Sequence, residues 1–74
     1  MTGGSEDLAD RLSALAEELA DAALDCLRRA AEEVRSTGVA DSALVAEEKR
    51  LTRARRAVDK AVTLLRSPTG EGAD

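Results

Sequence analysis

Four basic side chains in the second half of the chain have the spacing of one helix face and could bind an anion. They are Lys49, Arg53, Arg56 and Lys60, separated by four, three and four residues. Residues 49–66 hold seven basic side chains and one acidic side chain, whereas residues 1–36 hold nine acidic and four basic ones.

Such a basic stripe could follow a phosphate backbone or bind an acidic protein. It is also typical of a solvated helix face whose charge complements an acidic neighbouring helix. The chain has a net charge of -4 and no aromatic side chain that could stack on a base. We therefore favour the solvated face and keep anion binding as the alternative.

A second set of charged residues interrupts the apolar positions near the middle of the chain: Arg29, Glu33, Glu47 and Arg50. Two neighbouring carboxylates can transfer protons or hold a metal ion. Two arginines beside them favour a different role, a polar layer that fixes the register or the oligomeric order of a helical bundle. We expect such a polar layer.

Other catalytic chemistry has little support. The chain has no histidine, so its serines lack the usual activating base and Cys26 lacks a partner for a zinc site. Cys26 lies within an apolar stripe, where a free cysteine usually packs as a small apolar side chain. A redox thiol or a disulfide between two subunits is the alternative. We expect a protein that is not an enzyme and that carries no metal or cofactor.

The elements that position these residues are predicted to be two helices, and the fold class is all-α. Hydrophobic residues make up 43% of the chain without any aromatic one, and the abundance of Ala, Leu, Glu and Arg favours long helices that pack together. Apolar residues recur every three or four positions over about residues 5–36 and again over about 41–66. Residues 1–4 and 67–74 are expected to be a flexible N-terminus and a flexible acidic tail.

Local signals place the helix ends. Ser5 is a suitable N-cap for the first helix, and Asp41 or Ser42 for the second. Gly38 is suited to a left-handed stop after the first helix, and Pro68 stops the second.

The short connection predicts an antiparallel two-helix hairpin. Its register can be read from the sequence, because Leu12 with Leu65 and Leu19 with Val58 have residue numbers with the same sum. The same stripe of the first helix continues through Leu8, Leu15 and Cys26 and is predicted to face the second helix.

Each helix has a wider apolar arc than one neighbour requires, since a helix with one neighbour needs an arc of about 100°. The surplus predicts a surface for self-association or for a helical protein partner. Its residues are Ala9, Ala16, Ala20, Leu24, Leu27, Ala31, Ala57, Ala61 and Leu64. We expect the hairpin to form a homodimeric four-helix bundle, with a hetero-complex as the alternative.

The expected location is the cytoplasm, away from membranes. The N-terminal sequence MTGGSED lacks the regions of a secretory signal, a single cysteine fits a reducing compartment, and no apolar run approaches the ~20 residues of a membrane span. These features predict a small non-enzymatic interaction module, such as an adaptor, a regulatory subunit or an accessory subunit. The alternative is a nucleic-acid-associated regulator that uses the basic stripe.

Overall fold

The computed structural model describes residues 4–67, which form two α-helices packed against each other as a hairpin. The first helix, α1, spans Gly4–Thr37, and the second, α2, spans Ser42–Arg66. The predicted all-α hairpin is thus confirmed, and its helix ends lie within one residue of those expected. Residues 1–3 and 68–74, most of the predicted flexible ends, lie outside the described residues.

The turn between the helices is built by backbone and side-chain caps. Gly38 adopts a φ of 84°, and its backbone N–H donates to the Val34 carbonyl at 2.8 Å, which is the left-handed stop that glycine favours. Asp41 caps α2, since its Oδ1 accepts a hydrogen bond from the Ala43 N–H at 2.9 Å. Ser5 does not cap α1, because that helix already includes Gly4.

An ion pair joins the two helices at the open end of the hairpin. Arg66 Nη2 lies 2.6 Å from Asp10 Oδ1, and these two residues lie at the same level along the hairpin. This is the one ion pair that joins the two helices within residues 4–67.

The seam between the helices is lined by small side chains of α1. Its buried residues are Ala9, Ala16, Ala23, Cys26 and Ala30, whereas α2 buries none. The four alanines recur every seven residues, so they form a nearly straight line down one side of α1. Because alanine ends at Cβ, this line lets the backbones of the two helices approach closely.

The rotation of α1 agrees with the expected one at Cys26, which is buried, and at Leu12 and Leu19, which are half-buried, but it differs at other positions. Leu8 and Leu15, predicted to face α2, are 47% and 49% exposed. Ala9 and Ala16, predicted to lie on an outer partner surface, are 0% and 5% exposed. The alanine line lies in the seam instead, and the two leucines are displaced to its side. The expectation that Ala9 and Ala16 meet another molecule is therefore wrong.

Candidate functional site

The hairpin has two long sides, which can be assigned from the seam of α1. Successive helix residues are rotated by about 100°. Leu15 and Ala22 directly precede the buried Ala16 and Ala23, so they lie on one side of the seam. Leu24 directly follows Ala23 and lies on the opposite side.

The same rule applies to α2. Arg55 and Val62 are half-buried and face α1. Because α2 runs antiparallel to α1, a residue one position before a seam residue lies on the same side of the hairpin in both helices. Ala54 and Ala61 therefore share a side with Leu15 and Ala22, whereas Arg56 lies on the other.

The first side carries exposed apolar side chains from both helices. We call it the apolar face and define it by Leu8, Leu15 and Ala22 of α1 and Ala54 and Ala61 of α2. Four of these residues are exposed and Ala61 is partly exposed. At the loop end of the same side, Arg29 precedes the buried Ala30, and Glu47 precedes the half-buried Glu48.

The second side is a shallow groove with mixed chemistry. We call it the leucine groove; it encloses about 290 Å³ and is lined by Ala20, Ala23, Leu24, Leu27, Glu48, Thr52 and Arg55. It continues toward the open end of the hairpin past Ser13, Glu17 and Asp59. In its main part the groove is therefore apolar on the α1 side and polar on the α2 side.

Arg55 is the residue of this groove that sequence reasoning missed. Its Nε lies 3.7 Å from Asp59 Oδ2, and this buried nitrogen has no hydrogen-bond partner in the described part of the chain. A seven-residue series, Glu48, Arg55 and Val62, marks the line of α2 that faces α1. The apolar stripe predicted for α2 is half-buried as well, at Leu44, Leu51, Val58 and Leu65, so a search for apolar stripes omitted only the charged positions of this face.

The predicted self-association residues do not form one surface. Ala9 and Ala16 are buried in the folded chain, and Ala20, Leu24 and Leu27 line the leucine groove.

The members of that set on α2 lie elsewhere. Leu64 is nine residues from Arg55, which places it about 180° away around α2 and on its outer side. Ala57 and Ala31 are exposed, and Ala61 belongs to the apolar face. The predicted set is thus dispersed over the seam, the leucine groove, the apolar face and the outer side of α2.

The residues expected to form a polar layer are all exposed and form no ion pair with one another within residues 4–67. Arg29 pairs instead with Asp25 of its own helix, at 3.6 Å. Glu33, Glu47 and Arg50 take part in none of the ion pairs found in that range. A single hairpin therefore does not build the layer.

The basic stripe is solvent-exposed along its length. None of Lys49, Arg53, Arg56 and Lys60 forms an ion pair with another described residue. The first three line a shallow depression with Glu48 and Thr52. Inside it, Thr52 Oγ1 donates to Glu48 Oε2 at 2.8 Å, so one carboxylate already lies among the cations.

Cys26 packs in the seam as an apolar residue, with 3% of its surface exposed. Burial, followed by the negative charge of Glu47, raises the pKa of the Cys26 thiol. A raised pKa keeps the thiol protonated and lowers its reactivity.

The remaining findings concern metal sites, membrane spans and similarity to known proteins. No cluster of three or more metal-ligating side chains is found among residues 4–67. Neither helix has the length and apolar character needed to cross a membrane. No protein-family model, curated protein or solved structure matches the chain.

Proposed function

We propose that this chain is a non-enzymatic helical interaction module, such as an adaptor, a regulatory subunit or an accessory subunit, which associates with a second copy or with a helical protein partner. One observation carries the proposal. Within residues 4–67 no side chain larger than that of Cys26 is buried, so the hairpin alone lacks a core of large apolar side chains.

The exposed leucines show how much hydrophobic free energy a single hairpin leaves unused. Burying a leucine side chain contributes roughly 1.5–3 kcal/mol, and Leu8, Leu15, Leu24 and Leu27 are each 46–52% exposed. About half of that contribution is therefore unused in a single hairpin. Helical surfaces of another chain would cover the leucines on the side that they contact, as in four-helix bundles.

Sedimentation equilibrium at low micromolar concentration tests the proposal. We expect a dimer, or a chain whose helicity increases when its protein partner is added. Circular dichroism of the same samples reports the helicity. A stable, fully helical monomer would refute the proposal if its mass and helicity did not change with concentration or on addition of a protein partner.

A second candidate function is supported by the basic stripe, because its four cations have no ion-pair partner among the described residues. In this alternative the chain is a nucleic-acid-associated regulator whose stripe contacts phosphates. A gel-shift assay at about 50 mM salt, where phosphate contacts are strong, tests it.

Replacing Lys49, Arg53, Arg56 and Lys60 with glutamine separates the two functions. An interaction module keeps its self-association after this change, whereas a nucleic-acid regulator loses its gel shift. If the unaltered chain retards neither duplex nor single-stranded DNA or RNA, the alternative is excluded.

A further inference from the structure

The apolar face has a pattern of side chains that is complementary to itself. Asp10 and Arg66 meet across the hairpin, and residue pairs with the same sum of residue numbers lie at matching levels of α1 and α2. Three pairs on the apolar side meet this condition: Leu15 with Ala61, Ala22 with Ala54, and Arg29 with Glu47.

These three pairs follow one another every seven residues, about 10 Å apart along the helices. They combine a large with a small apolar residue, two small residues, and a cation with an anion. Each combination is favourable for close contact, and the outward residues of α1 therefore match those of α2 level by level.

We propose that a second copy of this chain covers the apolar face, with the two-fold axis parallel to the helices, so that α1 of each copy packs against α2 of the other. This inference rests on the proposed self-association. Such an axis preserves levels along the helices, so Leu15 of one copy meets Ala61 of the second copy, and Ala22 meets Ala54. The two alanines would allow a close approach of the helices.

Charge complementarity selects this axis. It brings Arg29 and Glu47 of both copies to one level, where the signs alternate around the four helices. The expected polar layer would thus be built between two chains, although one chain does not form it. Such a layer fixes register at a helical interface.

A two-fold axis perpendicular to the helices gives a poorer interface. It places α1 against α1 in antiparallel orientation, and centring the contact on Ala22 would set Leu15 against Arg29 of the second copy. It also pairs acidic α1 with acidic α1 and basic α2 with basic α2. Unpaired charges and like charges at an interface are unfavourable.

Disulfide formation between two single-cysteine variants tests the arrangement. Both carry Cys26→Ala; one adds Ala22→Cys and the other Ala54→Cys. For packed helices with axes about 10 Å apart and Cα atoms at a radius of about 2.3 Å, facing Cα atoms lie about 5 Å apart, within reach of a disulfide. Two copies of the same variant place their cysteines diagonally across the bundle, about 10 Å apart or more.

The variants are mixed in denaturant, refolded together, oxidised and separated on a non-reducing gel. We expect several times more covalent dimer from the mixture than from either variant alone. Ala20→Cys in the same background is the matched control, because it lies at nearly the level of Ala22 but lines the leucine groove. Mixed with Ala54→Cys, it should give only background crosslinking.

The outcomes distinguish this inference from the proposed function. If sedimentation equilibrium finds a dimer but the mixture crosslinks no better than the separate variants, the arrangement is wrong and self-association stands. If the chain is a stable monomer at all concentrations, the arrangement and the self-association both fail.

A charge exchange gives an independent readout. Arg29→Glu and Glu47→Arg each place four like charges in the layer, so each should weaken dimerisation about tenfold or more. The double variant restores alternating signs and should dimerise nearly as tightly as the unaltered chain. A double variant as weak as the single ones would overturn the proposed layer.

Discussion

Among residues 4–67, Cys26 has the largest buried side chain, and its chemistry follows from that position. It is 3% exposed, and burial together with the Glu47 carboxylate raises the pKa of its thiol above the ordinary value of 9.0. The thiolate is the reactive form of cysteine. At neutral pH the buried thiol is thus both less accessible and less ionised than a thiol in water.

We therefore expect Cys26 to react at least about tenfold more slowly with a thiol reagent at about pH 7 than an exposed cysteine on the same helix. The control is Ser36→Cys in a Cys26→Ala background, since Ser36 is exposed near the end of α1. Labelling is followed by mass spectrometry. Equal rates for the two cysteines would show that the seam opens easily.

The raised pKa also sets the sign of a pH effect. The folded state binds the thiol proton more tightly than the unfolded state, so this contribution to stability is complete below the unfolded pKa and is lost as the pH rises through the folded pKa. Between about pH 7 and pH 10 the unaltered chain should lose more stability than Cys26→Ala. Denaturant unfolding at the two pH values measures the difference.

At the scale of the helices, the alanine line of α1 determines how closely α2 can approach. Ala16 is 5% exposed at the seam, and a larger side chain there would force the helices apart. Ala16→Leu should lower the free energy of unfolding by about 1–3 kcal/mol, the usual cost of overpacking. Ala14→Leu is the matched control, since Ala14 is exposed, and it should change stability by less than about 0.5 kcal/mol.

Chemical denaturation measures both changes. If Ala16→Leu is as stable as the unaltered chain, the alanine line does not set the helix separation, and the packing of the hairpin would need revision.

The helices themselves could be predicted from the sequence, whereas their rotation could be predicted only in part: Leu12 and Leu19 are half-buried as expected, but Leu15 is not. The apolar period, the glycine at position 38 and the aspartate at position 41 define the ends of the helices through local chemistry. The rotation of α1 depends on which of two neighbouring lines of residues, one of leucines and one of alanines, packs against α2. Leucine buries more apolar area, but alanine allows closer backbone packing. Both lines have the same helical period, so the period does not show which effect is larger.

The surfaces show the same limit. Arg55 and Glu48 lie at the seam of α2, although charged residues are expected on solvated faces. Their long aliphatic stems can pack against the small side chains of α1 while the charged groups reach the edge of the seam. A prediction that assumes every charged residue to be solvent-exposed therefore also assigns the partner surfaces to the wrong helix faces.

At the scale of the whole molecule, the hairpin is a single layer of helices. Its extents are 54 × 26 × 12 Å and its radius of gyration is 16.8 Å, whereas a compact chain of this length has a radius of gyration of about 11 Å. The smallest extent equals the diameter of one helix with its side chains, about 10–12 Å. Both long sides of the layer are consequently open, and neither supplies a closed core.

A layer of this kind should depend on association for its stability. If the dimer is the stable form, dilution shifts the equilibrium toward unfolded chains, and each tenfold dilution lowers the apparent stability of the dimer by about 1.4 kcal/mol. We therefore expect the unfolding temperature, followed by circular dichroism, to fall as the protein is diluted. A temperature that is independent of concentration would contradict a dimer that is coupled to folding.

Substitutions at two leucines of nearly equal exposure can identify the side on which association occurs. Leu15 on the apolar face and Leu24 in the leucine groove are 49% and 52% exposed, so a glutamate at either position perturbs the hairpin itself to a similar degree. A charge buried at an interface without a partner is strongly unfavourable. Leu15→Glu should therefore abolish the concentration dependence of unfolding and give a monomer with low helicity, whereas Leu24→Glu should retain it. The opposite result would move the dimer interface to the leucine groove.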